Sequence, residues 1–379
     1  MSATELNQLF IDMTGLLHSL PSHTSEKTGW PWTIETDKSI FDTNIDWPVI
    51  TIVIPSFNQG RFIEETIRSI LLQNYPKLEL IVMDGGSTDD TKKILEQYTS
   101  WIKFWVSEKD EGQSDAINKG LDLAKGDIFN WINSDDFLTP NALFEVGKAF
   151  SEHSIDVFCG RLTIISEDNQ VITTTPRFNS LEAAEAICCA QISQPAMFYK
   201  TEVLRRIGKI NKSIRFSMDF ELWIRYLLSV EQRNTLETDK ILANFRHHSS
   251  SKSISEGYHS GFTKDNVSIF YSLAEIYDLP VEKKGFELFL DEQTVWLKRE
   301  SYNMTQRQVL KRTCNQVLFG YFLNLYVHND KRMLQLARLI DFSLINQNQK
   351  KQLKNMPALF LLPFVYKAKR VLKPSISPN

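Results

Sequence analysis

Between Val49 and Phe150 the sequence keeps changing its hydrophobic period, and that alternation is the strongest constraint on its fold. VITIVIPSF (49–57) is a β-branched apolar run closed by a proline and reads as a buried strand. RFIEETIRSILLQ (61–73) then sets Ile63, Ile67, Ile70 and Leu71 on one helical face. LELIVMD, IKFWVSE and DIFNWINSDD read as further strands. Thr91 to Tyr98, SDAINKGLDLAKG and NALFEVGKAF read as the helices between and after them, with Thr139 and Pro140 as cap and first residue of the last. Strand and helix at this spacing predict a mostly parallel sheet covered by helices on both faces.

The rest of the chain is organised differently. Residues 1–46 are mixed, punctuated by Trp30, Pro31 and Trp32, and read as an N-terminal extension with a short helix around Glu5 to Leu17. Beyond Ser151 the strands are irregular (DVFCGRLTII, VITTT, PAMFYK, ILANFRHH), interleaved with the helical patterns SLEAAEAICCA, EVLRRIG and MDFELWIRYLLS. After about Ser253 nearly every segment is helical. An α/β domain over 47–255 and a helical region over 256–379 are expected.

At 379 residues the chain can bury a large core, and 23% charged residues with a net charge of −3 give no sign of a nucleic-acid binder. Cys159, Cys188, Cys189 and Cys314 have neither metal-type nor disulfide-framework spacing, so a reducing, cytoplasmic setting is expected, with Cys188 and Cys189 as helix packing. MSATELNQLFIDMTGLLHSL has no basic residue before Lys27 and makes a poor secretory signal. No apolar run approaches the ~20 residues of a membrane span. The tail NMPALFLLPFVYKAKRVLK (355–373) could still lie on an anionic membrane surface, the alternative being a helix that closes the C-terminal bundle.

In open α/β sheets, ligands bind beyond the carboxyl ends of the strands. Those ends carry Ser56-Phe57-Asn58, Asp84-Gly85-Gly86-Ser87, Glu108 to Asp110, and Asp135-Asp136. Such a rim suits a cation or a ligand rich in N–H and O–H groups. Vicinal residues on a strand point to opposite faces, so one aspartate would hold a divalent cation such as Mg²⁺ or Mn²⁺ while the other meets a sugar hydroxyl. The plainer readings are a turn and capping cluster for Asp135-Asp136, a strand-to-helix turn for DGGSTDD, and a helix-dipole carboxylate for Asp219. The loop after the first strand, SFNQGRF, is too poor in glycine and basic residues for a nucleotidyltransferase. G-x-G-x-x-G, P-loop and H-E-x-x-H patterns are absent.

The ordered series IVIPSFNQG, IVMDGGSTDD, GQSDAINKG, WINSDD, QPAMFYKTEVLRRIG, MDFELWIR and FRHHSSSKS resembles a family 2 glycosyltransferase of the GT-A fold, over roughly residues 49–253. The resemblance implies an inverting, metal-dependent transfer of a sugar from a nucleoside diphosphate to a saccharide or lipid-linked acceptor, in bacterial polysaccharide or glycolipid synthesis. It assigns Asp84 to the nucleobase, Pro55 and Asn58 to the nucleotide floor, Asp135 to the ribose and Asp136 to the metal. Asp219 would be the catalytic base, with His248 and Lys252 near the diphosphate. Asn133 stands where the family has the first residue of D-x-D-D, and Met218 where it has the Glu of a Glu-Asp pair. A catalytically inactive nucleotide-sugar-binding subunit is the alternative those departures keep open. A carboxylate at Asp84 fits uracil, thymine or guanine and does not choose between UDP, dTDP and GDP donors.

Overall fold

The computed structural model describes residues 15–176, 183–188, 192–229, 234–251, 258–291, 297 and 306–356. The chain divides into two compact units. The first comprises Met1–Asn179, Ile192–Lys212 and Gln232–Glu256; the second comprises Ser180–Gln191, Ser213–Glu231 and Gly257–Asn379.

The first unit holds the expected alternation: β1 (Ile50–Ser56), α1 (Ile63–Leu71), β2 (Leu78–Asp84), α2 (Thr91–Tyr98), β3 (Phe104–Ser107), α3 (Gln113–Leu123) and β4 (Ile128–Trp131). β1 pairs in parallel with both β2 and β4, and β2 pairs in parallel with β3. Every residue of β1 is buried, as expected of a strand covered on both faces. α3 lies so close to β1 that a Cβ at Gly120 would fall 2.5 Å from Val53 Cγ1.

The chain continues through β5 (Phe137–Leu138), α4 (Ala142–Glu152), β6 (Val157–Ser166), β7 (Val171–Thr174), β8 (Met197–Lys200), α6 (Thr201–Ile207) and β9 (Thr235–His247); α5 (Ala183–Cys188) belongs to the second unit. These strands extend the sheet in the order β3-β2-β1-β4-β8-β6-β9-β5, with β7 on β6. The extension is mixed, because β8 runs antiparallel to β4 and β6 while β6 and β9 are parallel. The structure thus has the GT-A type α/β architecture expected, with its parallel half at β1–β4.

Two local expectations are corrected. The fourth strand ends at Trp131 rather than running to the aspartates, and Asp136 N–H donates to Asn133 O at 3.0 Å to close a turn. Asn141, in the left-handed region at φ 63, takes the cap position of α4, while Thr139 Oγ1 donates to Ile241 O in β9.

Residues 15–46 are built into the first unit. Leu20, Phe41 and Trp47 join the core formed by the strands and α1. Arg68 of α1, 1% exposed, donates to the carbonyls of Pro31 (3.0 Å), Pro21 (3.1 Å) and Trp32 (3.2 Å) and to Tyr98 Oη (3.1 Å). Glu35 Oε2 accepts from Leu16 N, Leu17 N and Asn74 Nδ2. The helix expected around Glu5 to Leu17 lies largely outside the described residues.

The remaining helices are α7 (Met218–Ser229), α8 (Tyr258–Ile276), α9 (Pro280–Phe286), α10 (Arg307–Val327), α11 (Arg332–Leu339) and α12 (Gln347–Asn355), and with α5 they form the second unit. Asp265 of α8 accepts from Phe216 N and Ser217 N, satisfying donors at the start of α7. Cys188-Cys189 packing and the tail beyond residue 356 lie outside the described side chains. Among the described residues no helix is long and apolar enough to cross a membrane.

Replacing Arg68 with Ala strands the buried carbonyls of Pro31 and Trp32 and the half-buried one of Pro21. At 1–3 kcal/mol per unsatisfied group, partly relieved by water, the first unit should lose about 3 kcal/mol, read from urea unfolding followed by tryptophan fluorescence.

Candidate active site

The first cluster sits where β1, β2 and β3 end. Asp84 is 2% exposed and lies in register with Ser56 on one side and Ser107 on the other. Its Oδ2 accepts from Ser87 N at 2.9 Å and Ser107 Oγ at 2.6 Å, and its Oδ1 accepts from Ser87 Oγ. Asn58, at φ 52, staples the loop after β1 to the loop after β2. Its N–H donates to Ser87 Oγ and its Oδ1 accepts from Thr88 N at 2.9 Å. Pro55 is buried within β1, opposite Met83. A small, partly open cleft lies beside Asp84, lined also by Val106, Glu108, Ala116 and Lys119.

The second cluster follows β4. The turn from Asn133 to Asp136 hangs on α1, whose Thr66 Oγ1 donates to Ser134 O at 3.0 Å and Asp136 O at 2.6 Å. The turn sends its two carboxylates to different surroundings. Asp136 is 1% exposed; its Oδ1 accepts from Arg246 N at 2.9 Å and its Oδ2 from Asn133 Nδ2 at 3.2 Å. Burial, and after it the charge of Asp135, pushes the Asp136 carboxyl well above the usual carboxylate range. Asp135 keeps 19% side-chain exposure and meets His248 Nε2 at 2.9 Å. His248 Nδ1 lies 2.9 Å from Ser250 Oγ, which fixes the ring on its far side.

This geometry bears directly on the metal role expected of Asp136. That carboxylate faces inward and both its oxygens are taken by protein donors. Asp135, expected at the ribose, carries the open carboxylate. Asn133 fits the same logic. Its Oδ1 accepts from Gln113 Nε2 at 2.7 Å while its amide donates to Asp136, a relay that a carboxylate at 133 could not make.

Arg246, Glu65, Thr66, Gln113 and Ser107 were not singled out in the sequence. Arg246 lay inside the quoted FRHH, but the pattern drew attention to the histidines. Glu65 and Thr66 sit off the apolar face of α1, where polar residues ordinarily read as solvated.

Asp219 belongs to the second unit, half-buried in the first turn of α7, where its Oδ1 accepts from Phe220 N at 2.8 Å. The buried pair Arg225 and Glu221, with Nε to Oε1 at 3.0 Å, stiffens the same helix. Lys252 lies outside the described residues.

Residues 51–216 match the sequence model of the family described as Glycosyl transferase family 2. These residues are a family 2 glycosyltransferase domain. An uncharacterized glycosyltransferase of Rickettsia prowazekii (strain Madrid E) is 23% identical over 291 residues, covering 74% of this chain and 90% of that protein. The GalNAc(5)-diNAcBac-PP-undecaprenol beta-1,3-glucosyltransferase of Campylobacter jejuni is 32% identical over 126 residues, 32% of this chain and 40% of the relative. Among solved structures, S. aureus TarS 1-349 in complex with UDP-GlcNAc is similar at 16% identity with a TM-score of 0.51, over 85% of this chain and 88% of that one. The two clusters just described both fall within, or pair with strands of, the glycosyltransferase domain.

The raised carboxyl of Asp136 has a consequence for stability. An acid whose folded pKa exceeds its unfolded value contributes stability that is present below the unfolded pKa and lost as pH rises through the folded one. Against an Asp136→Asn variant, wild type should therefore lose relative stability as pH climbs from about 4 toward neutrality, a drift of a few degrees in Tm. Parallel Tm curves across that range would show that the Asp136 carboxyl titrates normally.

Proposed function

We propose that the chain transfers a sugar from a nucleoside-diphosphate donor to a hydroxyl of a saccharide or lipid-linked acceptor, with inversion and with a divalent cation. The observation that carries this reading is the pair Asp135 and His248, a half-open carboxylate 2.9 Å from an imidazole, in the same unit as the buried Asp84 and its cleft.

Asp84 has room on Oδ1 for one more donor, which suits the N–H of uracil, thymine or guanine. Asn58 and Pro55 would form the floor under that base. A cation fits the second cluster by its donor set, one carboxylate oxygen and one imidazole nitrogen, which suits Mn²⁺ better than Mg²⁺. Among the described residues no three metal-binding side chains converge, so diphosphate oxygens would complete the shell. When bound, the cation would neutralise charge on the departing diphosphate. Asp136, with its inward carboxylate, supports the turn.

The transfer forms a bond from acceptor oxygen to the anomeric carbon, breaks the bond from that carbon to the diphosphate oxygen, and moves the acceptor proton to a base. Asp219 is assigned that base role, which contributes about 10²- to 10⁴-fold. A UDP-sugar donor is supported by TarS, solved with UDP-GlcNAc, and a lipid-linked acceptor by the name of the Campylobacter relative. The reading places the enzyme at the cytoplasmic face of a membrane, in cell-surface polysaccharide or glycolipid assembly, with Lys252 near the diphosphate and residues 356–379 as the membrane contact.

Thermal stability in UDP, GDP and dTDP, each with and without Mn²⁺, tests the donor site. A hundredfold excess over Kd should add about 2.7 kcal/mol with one of the three. The Mn²⁺-dependent part should vanish in Asp135→Ala, and the whole shift should shrink in Asp84→Asn. No shift in wild type with any nucleotide would end the reading.

Asp219→Asn should keep nucleotide binding and lose transfer by about 10²-fold or more. Undiminished transfer would remove Asp219 as the base. Nucleotide binding by wild type with no transfer to any acceptor would favour the inactive-subunit reading.

A further inference from the structure

We propose that Arg246 is the positioning residue of the donor site, holding the Asp135 carboxylate and the His248 ring in one fixed relation. The proposal rests on the reading of Asp135 and His248 as the cation-binding pair, and it concerns residues to which that reading gives no role.

The Arg246 side chain is 2% exposed, yet its guanidinium bonds to three separate segments. Nη2 donates to Glu65 Oε2 of α1 at 2.7 Å. Nη1 donates to Asn169 Oδ1 at 2.6 Å and to Glu167 O at 3.0 Å, both in the hairpin between β6 and β7. Nε donates to the carbonyl of Asp135 itself, at 3.0 Å. The rings of Phe62 and Phe137 lie 5.0 and 5.3 Å from the guanidinium carbon, and Phe62 also packs 4.8 Å from the His248 ring.

The main chain of the same residue performs the complementary task. Arg246 N–H holds the buried carboxylate of Asp136, and Arg246 O accepts from Ser251 Oγ, which in turn accepts from His248 N. One residue therefore touches the backbone of Asp135, the side chain of Asp136 and the turn that presents His248. Lysine could supply the charge but not the planar fork that joins Glu65, Asn169 and two carbonyls. Glu65 answers the guanidinium from α1, and burial pushes its carboxyl up while the charge of Arg246 pulls it down. Groups that orient metal ligands in this indirect way typically change metal affinity when altered, and leave contacts elsewhere in the site intact.

The test is Mn²⁺ affinity, by electron paramagnetic resonance in saturating UDP, together with UDP affinity in metal-free buffer. It compares wild type, Arg246→Lys, Glu65→Gln and Asp135→Asn. Arg246→Lys and Glu65→Gln should each weaken Mn²⁺ binding by about 10- to 100-fold while metal-free UDP affinity stays within about twofold. Unchanged Mn²⁺ affinity in both variants overturns the proposal and leaves the donor-site reading standing. Equal loss of both affinities also overturns it, since that is the mark of a residue that merely maintains the fold. If Arg246→Lys does not fold, Glu65→Gln alone decides. Wild type that binds no Mn²⁺ with UDP, or Asp135→Asn that binds it undiminished, removes the cation-binding pair and this proposal with it.

Discussion

A guanidinium taken almost wholly out of water loses hydration worth several kcal/mol, and only a full set of partners offsets that loss. Arg246 has such a set: an opposing carboxylate, an amide oxygen, two carbonyls and two aromatic faces. The partners come from α1 and its N-cap, the β6–β7 hairpin and the segment from Asp135 to Phe137, so the charge can be buried only when all three are in place. The turn that carries Asp135 and Asp136 is organised around this condition. Its inner carboxylate takes the Arg246 N–H, and its outer carboxylate is left for His248. The adjacent carboxyls are tolerated because burial and the charge of Asp135 favour the protonated form of Asp136, while Asp135 has an imidazole and partial solvent.

α1 acts as the beam beneath this arrangement. Toward the N-terminal strap it offers Arg68, whose donors gather three carbonyls from Pro21, Pro31 and Trp32. Toward the aspartate turn it offers Glu65, Thr66 and Ser69, which hold Arg246, the carbonyls of Ser134 and Asp136, and the Leu138 N–H. Its apolar face, Ile63, Ile67 and Ile70, meanwhile packs in the core. A nine-residue helix thus spends nearly every side chain on one of three tasks.

The parallel half of the sheet was legible because each strand is a short β-branched run and each helix has a clean apolar face. The strand ends Asp84, Asn58 and Asp135-Asp136 followed from that reading. Which aspartate turns inward was not legible, because the answer depends on a strand 110 residues away in sequence. Extending β4 to the aspartates made them alternate as on a strand, whereas the chain has already left the sheet at Asn133. The strap over residues 15–46 has no period to read, since its order comes from fitting carbonyls to Arg68 and Trp30 to the Leu138 carbonyl rather than from any regular element. Asp219 stood out by motif, but that its helix belongs to the second unit could not be seen from its neighbours in sequence.

The long separation between Asp136 and Arg246 also has a temporal side. At about 5–20 residues per second, a ribosome needs on the order of ten seconds to add Arg246 after Asp136 has been made. During that interval the aspartate turn has neither its inward N–H donor nor the guanidinium, and β5 lacks its partner β9. The cluster around Asp84 draws only on β1 to β3 and α3, all made before Asp136, and can form early in synthesis. The Asp135–His248 pair cannot, so during synthesis the polypeptide completes the carboxylate cluster at the ends of β1 to β3 well before the one that follows β4.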